Sequence, residues 1–258
     1  MKALTELDHR TVRAVLFDID DTLTTAGKLT AQAYGALERL QAAGKLAVAV
    51  TGRPAGWCDH IARMWPVDAV VGENGAFYFL LSHGRLQKHY RDPPPVRARH
   101  RERLAQIAQE ILAAVPGCAI AADQAYRETD LAIDYCEDVP PLPLAAAERI
   151  AALMRQAGLH AKLSSIHVNG WFGDYDKLAM TRQLFREQFA MHLDAARGTV
   201  VYVGDSPNDA PMFEFFPKSV GVANVKRFAG ALPAAPKYIT GASSGAGFAE
   251  VVAHLLRA

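Results

Sequence analysis

The sequence predicts an α/β protein: a parallel sheet with helices on both faces, interrupted by an inserted α+β domain. Three observations carry this reading. Short apolar runs alternate with segments of helical periodicity near both ends of the chain, that rhythm breaks in the middle, and polar clusters directly follow several of the apolar runs. Residues 14–17, 46–50, 69–71 and 200–203 are the apolar runs, and strands buried on both faces need not alternate apolar with polar residues. Between the first two, residues 30–43 place Ala33, Leu37 and Leu40 at helical spacing before Gly44, a good terminator, which completes a βαβ unit. A second helix starts near Pro54, a residue tolerated in a first turn, and another spans residues 178–189 before the strand at Val200. Alternation of this kind yields a Rossmann-like core.

The middle of the chain is organised differently. Residues 77–81 and 86–90 flank Ser82-His83-Gly84-Arg85 like a hairpin, and Pro93-Pro94-Pro95 then interrupts the chain. A basic helix over residues 96–115 follows, then alternating segments at 119–121 and 131–135, a helix over 144–157 and a strand over 161–168. These segments form an insert at residues 82–172, so that residues 1–81 and 173–258 make one discontinuous core domain.

Composition narrows the class. The chain has 258 residues, half of them hydrophobic, enough for a packed core. Lys plus Arg number 28 against 27 for Asp plus Glu, so no field of one sign points to nucleic acid or an anionic membrane. Cys58, Cys118 and Cys136 are too few and too scattered for a disulfide framework or a thiolate zinc site, and fit a reducing compartment. Residues 1–13 hold no apolar stretch long enough for a signal sequence, and no later run reaches membrane-spanning length, so the expected location is cytoplasmic.

In an open parallel sheet, ligands bind beyond the C-terminal ends of the strands. Three polar clusters sit there: Asp18-Ile19-Asp20-Asp21-Thr22, Thr51-Gly52-Arg53-Pro54 and Gly204-Asp205-Ser206-Pro207-Asn208-Asp209. Asp18 and Asp20 stand two residues apart at a strand end, so they start on the same side of the chain, a spacing that suits one nucleophile and one acid/base. Read without further context, the first cluster is also compatible with a surface turn, and Asp205 to Asp209 with a capped helix start.

Together with Asp176-Lys177-Leu178, the three clusters occur in the order found in the haloacid dehalogenase superfamily of phosphohydrolases, which this chain resembles. The insert between the second and third motifs resembles the large α/β cap of the subgroup containing sugar-phosphate phosphatases and phosphomannomutases. Glu73-Asn74-Gly75-Ala76 and Gly221-Val222-Ala223-Asn224 are similar to segments of that subgroup. Asp21 replaces the glycine often found after the second aspartate and receives no catalytic role.

The resemblance implies that Asp18 attacks phosphorus and forms an aspartyl-phosphate, while Asp20 protonates the leaving alcohol and later deprotonates water. It also implies a magnesium site made by the Asp18 side chain, the Asp20 carbonyl and Asp205, with Asp209 in a direct or supporting role. A hard cation suits a cluster of carboxylates and carbonyls without grouped Cys or His. Thr51 and Gly52, between a strand and a helix N-terminus, can hold phosphate, and Lys177 can neutralise both phosphate and Asp18. Arg53 contacts substrate or pairs with a core carboxylate; Asn74-Gly75 is a turn or brings Asn74 to the phosphate pocket. The stretch 241–247 lacks a P-loop lysine and reads as a connecting loop near the site.

Specificity is expected from the insert. Arg97, Arg99, His100, Arg101 and Arg103 read best as a solvated helix face. Ser164, Ser165, His167 and Asn169 lie on or just after its last strand, where alternate residues can hydrogen-bond a polyol; Trp171 can stack on a sugar or serve as a hinge or core residue. The expected activity is magnesium-dependent hydrolysis of a small phosphomonoester, a sugar phosphate or similar metabolite, with no nucleic-acid or membrane partner. The alternatives are a phosphosugar mutase using the same phospho-aspartate and a non-catalytic phosphate- or partner-binding module.

Overall fold

The computed structural model describes residues 1–164 and 166–257. It divides into two compact units, one of Met1–Gly52, Cys58–His89 and Asp176–Ala258, the other of Arg53–Trp57 and Tyr90–Tyr175. The insert therefore starts at Tyr90 rather than 82, because the second arm of the hairpin remains in the large sheet, and it ends at Tyr175 rather than 172.

The chain opens with β1 (Lys2–Ala3), β2 (Ala14–Phe17), α1 (Ala31–Ala42), β3 (Leu46–Val50), α2 (Ala55–Met64), β4 (Ala69–Gly72), β5 (Phe77–Ser82) and β6 (Arg85–Tyr90). The insert contributes α3 (Pro94–Ala114), β7 (Ala119–Ile120), β8 (Asp130–Asp134), α4 (Leu144–Gln156), β9 (His160–Leu163) and β10 (His167–Trp171). The chain returns through α5 (Lys177–Gln188), α6 (Leu193–Ala196), β11 (Val200–Gly204), α7 (Ala210–Phe215), β12 (Lys218–Gly221), β13 (Tyr238–Ile239) and α8 (Ser244–Leu255).

The larger sheet has the order β1-β13-β12-β11-β2-β3-β4-β5-β6. It is parallel from β1 through β4, and β5 turns back antiparallel. Its central strand β2 is buried at all positions, which is why it reads as an unbroken apolar run. Alternation along the strands still sorts the faces. Leu16, Val48, Val50 and Tyr202 pack with Leu184 and Phe185 of α5 and Met212 and Phe213 of α7, whereas Phe17 points the other way, its ring centroid 5.0 Å from that of Phe248 in α8. On that side α1 packs against α8. The first turn of α1 is capped by Thr30, whose hydroxyl accepts from the Ala33 amide at 3.3 Å. The β5–β6 connection has positive φ at His83 and Gly84, as a two-residue turn matching the strand twist requires.

The second unit has a four-stranded sheet of order β7-β8-β10-β9. Leu131, Ile133 and Val168 cover one face of it together with Leu104, Ile107 and Ile111 of α3 and Ile150 and Met154 of α4. The single strand expected over 161–168 is a hairpin instead. Ser164 makes the reversal, its amide and hydroxyl both donating to the His167 carbonyl at 2.8 and 2.9 Å while its hydroxyl accepts from the His167 amide at 2.9 Å. Another difference lies at 241–247, where Ser244 already begins α8.

What the fold supplies to chemistry is a level edge. In the ladder Phe17 stands opposite both Val203 and Ala49, so the segments after β2, β3 and β11 leave the sheet side by side. No helix among the described residues is long and apolar enough to cross a membrane.

Phe248→Ala, which removes the fully buried ring against Phe17, is expected to cost about 3–5 kcal/mol of stability. Urea unfolding followed by far-UV circular dichroism measures this; a change under about 1 kcal/mol would contradict the packing described.

Candidate active site

The Asp18 segment is still tied to the sheet as it leaves it, the Asp18 amide donating to the Val203 carbonyl at 3.0 Å. The chain then winds around one acceptor. The Ile19 carbonyl receives the amides of Leu23 and Thr24, both at 2.9 Å, and the Thr24 hydroxyl at 3.1 Å. Asp21 sits at φ 54°, the left-handed region, which explains why glycine suits this position and why aspartate, a residue that visits it, can replace it. Asp20 occupies the turn, half-buried.

Lys177 reaches this segment from the first position of α5. Its ammonium lies 3.0 Å from Asp18 Oδ1 and 3.0 Å from Asp209 Oδ1, and all three residues are buried. Asp209 is fully committed. Its Oδ1 also accepts the Tyr202 hydroxyl at 2.5 Å, and its Oδ2 accepts the amides of Asp205 at 3.0 Å and Ser206 at 3.2 Å. Asp18 has a single donor, Lys177, among the described residues. Asp205 is held from both sides, by the Thr22 hydroxyl on Oδ1 at 3.2 Å and the Asn224 amide on Oδ2 at 2.9 Å.

These differences set the protonation behaviour. Burial, joined by the charges of Asp209 and Asp20, outweighs Lys177 and pushes the Asp18 carboxyl up to about 7. Burial, with Asp209, Asp18 and Asp21 as negative neighbours, pushes Asp205 up to about 8. Burial acts on Asp209 as well, but Lys177, Tyr202 and the Ser206 amide overcome it and hold that carboxyl below its ordinary value. Burial by itself would lower the Lys177 ammonium, yet attraction to Asp18 and Asp209 raises it. The cluster thus holds more negative charge than one lysine balances. Carboxylate oxygens of Asp18, Asp205 and Asp209 all lie within 4.8 Å of one another, an all-oxygen donor set that fits a hard divalent cation.

A second group stands after β3 and β4. Thr51 is fully buried, donates its amide to the Val71 carbonyl at 2.9 Å and accepts the Asn74 amide at 3.2 Å. Glu73 and Asn74 hold φ of 41° and 57°, two consecutive left-handed residues without being glycine, a strain of about 1–3 kcal/mol each that surrounding structure must enforce. The turn places the Asn74 side chain against Gly52, where a Cβ would stand 3.2 Å from Asn74 Oδ1. That buried oxygen has no hydrogen-bond partner among the described residues. Gly75, at φ 107°, lies against the Asp176 backbone, where any Cβ would overlap the carbonyl, so this turn abuts the residue that precedes Lys177.

Of the residues expected from sequence, Asp18, Lys177, Asp205 and Asp209 come together with Asp20 adjoining, and Thr51, Gly52 and Asn74 form the neighbouring group. Arg53 belongs to the second unit, its guanidinium carbon 4.3 Å from the Trp57 ring centroid. His167, also there, is buried with Nε2 2.8 Å from Glu137 Oε2, a close contact without hydrogen-bond alignment. Ser165 lies outside the described residues. Arg97 and Arg103 pair with Glu128 and Glu110, and Trp171 is a buried residue of the insert sheet. Three contributors had no role in the sequence reading: Thr22, Tyr202 and Asn224. Thr22 and Asn224 stood inside noted motifs, whereas Tyr202 lay inside a run that reads as wholly apolar.

A family model described as haloacid dehalogenase-like hydrolase matches residues 12–216. No curated protein matches the chain. Among solved structures, protein 0175 of Thermoplasma acidophilum is similar at 18% identity and TM-score 0.72, covering 95% of this chain and 98% of that one. A haloacid dehalogenase-like hydrolase from Bacteroides thetaiotaomicron is similar at 17% identity and TM-score 0.68, covering 95% and 100%. The sucrose-phosphatase of Synechocystis, solved with sucrose and phosphate, is similar at 17% identity and TM-score 0.65, covering 95% and 98%. At these identities the likeness is one of fold.

The raised carboxyls give a pH signature. The folded chain without divalent cation keeps protons on Asp18 and Asp205 that the unfolded chain releases near pH 3.9, so their contribution is full below about pH 4 and is lost as pH rises through about 7 to 8. In chelator, the urea midpoint is expected to fall between about pH 5 and about pH 8, and Asp205→Asn to flatten that fall. A midpoint that rises over this range would contradict the assignment.

Proposed function

The chain belongs to the haloacid dehalogenase-like hydrolases, and on that premise we propose that it hydrolyses a small phosphomonoester, a sugar phosphate, through a covalent intermediate on Asp18. The observation that carries the reading is the buried set of Asp18, Lys177, Asp205 and Asp209 at one sheet edge, in which, among the described residues, Asp18 is the carboxylate with a single hydrogen-bond donor. A reactive carboxylate must keep a lone pair to attack with, whereas Asp209 has none to spare.

Magnesium would be held by the Asp18 and Asp205 side chains and the Asp20 carbonyl, with Asp209 supporting through Lys177 and the amides of Asp205 and Ser206. When bound, the cation neutralises phosphate oxygens and the carboxylates around it. Lys177 adds a fixed positive charge beside the attacking oxygen. In the first half-reaction, the Asp18 carboxylate forms a bond to phosphorus as the bond to the leaving oxygen breaks, and Asp20 gives that oxygen its proton. In the second, water attacks the phosphoryl group on Asp18 and loses its proton to Asp20. Phosphate leaves, and both carboxyls return to their starting states.

The strained Glu73-Asn74 turn and Gly52 support a role for Thr51, Gly52 and Asn74 in holding the phosphate, since the Asn74 amide oxygen has no donor to hold it among the described residues, which leaves the amide free to turn, and the glycine carries no side chain there. An asparagine amide can also turn its nitrogen toward an anion. The insert, with Arg53 and His167, would select the leaving group. The structural similarity to a sucrose-phosphatase favours a sugar phosphate over other small phosphoesters.

Phosphate release measured across sugar phosphates, nucleotides and small phosphoesters tests the reading. Release from sugar phosphates that is abolished by chelator is expected, and Asp18→Asn is expected to lower kcat at least about a thousandfold while leaving the circular dichroism spectrum unchanged. Turnover by folded Asp18→Asn near the wild-type rate would refute the covalent route.

A further inference from the structure

Asn224 lies outside the matched residues 12–216, yet it touches three parts of the site region at once. Its side-chain nitrogen donates to the Asp205 Oδ2 at 2.9 Å and to the Asp21 carbonyl at 3.0 Å, and its side-chain oxygen accepts the Ser244 amide at 2.9 Å. The amide orientation admits no flip. The Ser244 N–H can only donate, and the Asp21 carbonyl and Asp205 carboxylate accept, so reversing Asn224 would set donor against donor and acceptor against two acceptors. The residue is 8% exposed, so water does not readily replace these bonds.

The Ser244 anchor is itself built in. Ser244 is buried and held at φ 53°, a left-handed conformation uncommon for serine, at the start of the twelve-residue α8. The next amide, Gly245, donates to the Thr25 hydroxyl at 3.2 Å, and a Cβ at Gly245 would press on the Leu23 carbonyl at 2.6 Å. The beginning of α8 is thereby fastened to the Asp18 segment in two places, through Asn224 and through Thr25. This is the stretch that reads from sequence as a plain connecting loop.

We propose that Asn224 is a positioning residue for Asp205: with Thr22 on the opposite oxygen, it fixes the carboxylate plane, and the Ser244 amide fixes Asn224. Each Asp205 oxygen then keeps one lone pair, and the two are held at a constant direction for a divalent cation. The proposal rests on the reading of the carboxylate cluster as a cation site. Groups that orient a metal-binding side chain generally contribute about ten- to hundredfold to affinity.

The test is Mn2+ binding by electron paramagnetic resonance, which needs no turnover, on the wild type and Asn224→Ala, with thermal melting in chelator to confirm folding. A dissociation constant raised about ten- to hundredfold is expected, with KM at saturating cation changed by less than about threefold. Should the alanine variant not fold, Asn224→Ser retains a polar group too short to span Asp205 and Ser244 together, and a several-fold loss is expected. Wild-type Mn2+ affinity in either folded variant overturns the proposal alone. Absence of Mn2+ binding by the wild type overturns both it and the cation-site reading.

Discussion

One buried ammonium shared between two carboxylates organises this molecule. Lys177 is 4% exposed and lies 3.0 Å from both Asp18 and Asp209. A lysine at the first position of a helix faces the positive end of the helix dipole and, once buried, loses its hydration; both effects oppose it. Asp176, whose side chain caps the Ala179 amide at 2.8 Å, offsets part of the dipole, and the two carboxylates supply the rest. The arrangement is stable only as a set, because removing either acid leaves a buried charge poorly compensated. That dependence explains why so much of the surrounding structure serves to hold two aspartates still.

The sheet does this by register. Asp18 follows β2 and Asp205 follows β11, and these strands are paired so that Phe17 faces Val203. Asp209 arrives one helical turn later and folds back on the amides of Asp205 and Ser206, whose donors would otherwise be orphaned at the start of a short helix. Gly204 is required where it stands, since a Cβ would come within 2.5 Å of Asp209 Oδ2. The two acids that share Lys177 consequently differ in character. Asp209 accepts two donors on Oδ1 and three on Oδ2, the Ser206 hydroxyl included, and is locked, whereas Asp18 accepts one among the described residues and remains available.

Much of this was legible in the chain because buried parallel strands and the clusters that follow them leave contiguous signals. Residues 14–17 and 46–50 appear as strands at those bounds, and the helix expected over 30–43 differs by one residue at each end. The harder elements were those with little local pattern. β1 and β13 are two residues long, and β12 has a lysine, a serine and a glycine among its four residues, so that no apolar run marks it. The 161–168 segment carries apolar residues on both sides of Ser164-Ser165, and Ser164 divides it through side-chain hydrogen bonds that compete with the ladder. Tyr202 illustrates a limit of another kind. A tyrosine among valines reads as packing, and only the fold brings its hydroxyl to an aspartate seven residues away, where burial keeps the phenol protonated as a donor.

The turn at 73–75 ties the two halves of the site together. Its two left-handed residues and a glycine at φ 107° form a costly local geometry, yet it recurs at no other described place in the chain as three successive positive φ values. The cost has two returns in structure. Thr51 receives the Asn74 amide, so the segment after β3 is held by the segment after β4, and Gly75 lets the turn press directly on the Asp176 backbone. Asp176 in turn sets the start of α5, and thus the point from which Lys177 extends. A side chain at residue 75 would therefore push on the helix that carries the lysine, not on the lysine itself. Strain in one three-residue turn, capping at Asp176 and the shared ammonium are steps of one mechanical path, and that path links the Thr51–Asn74 group to the carboxylates across the sheet edge.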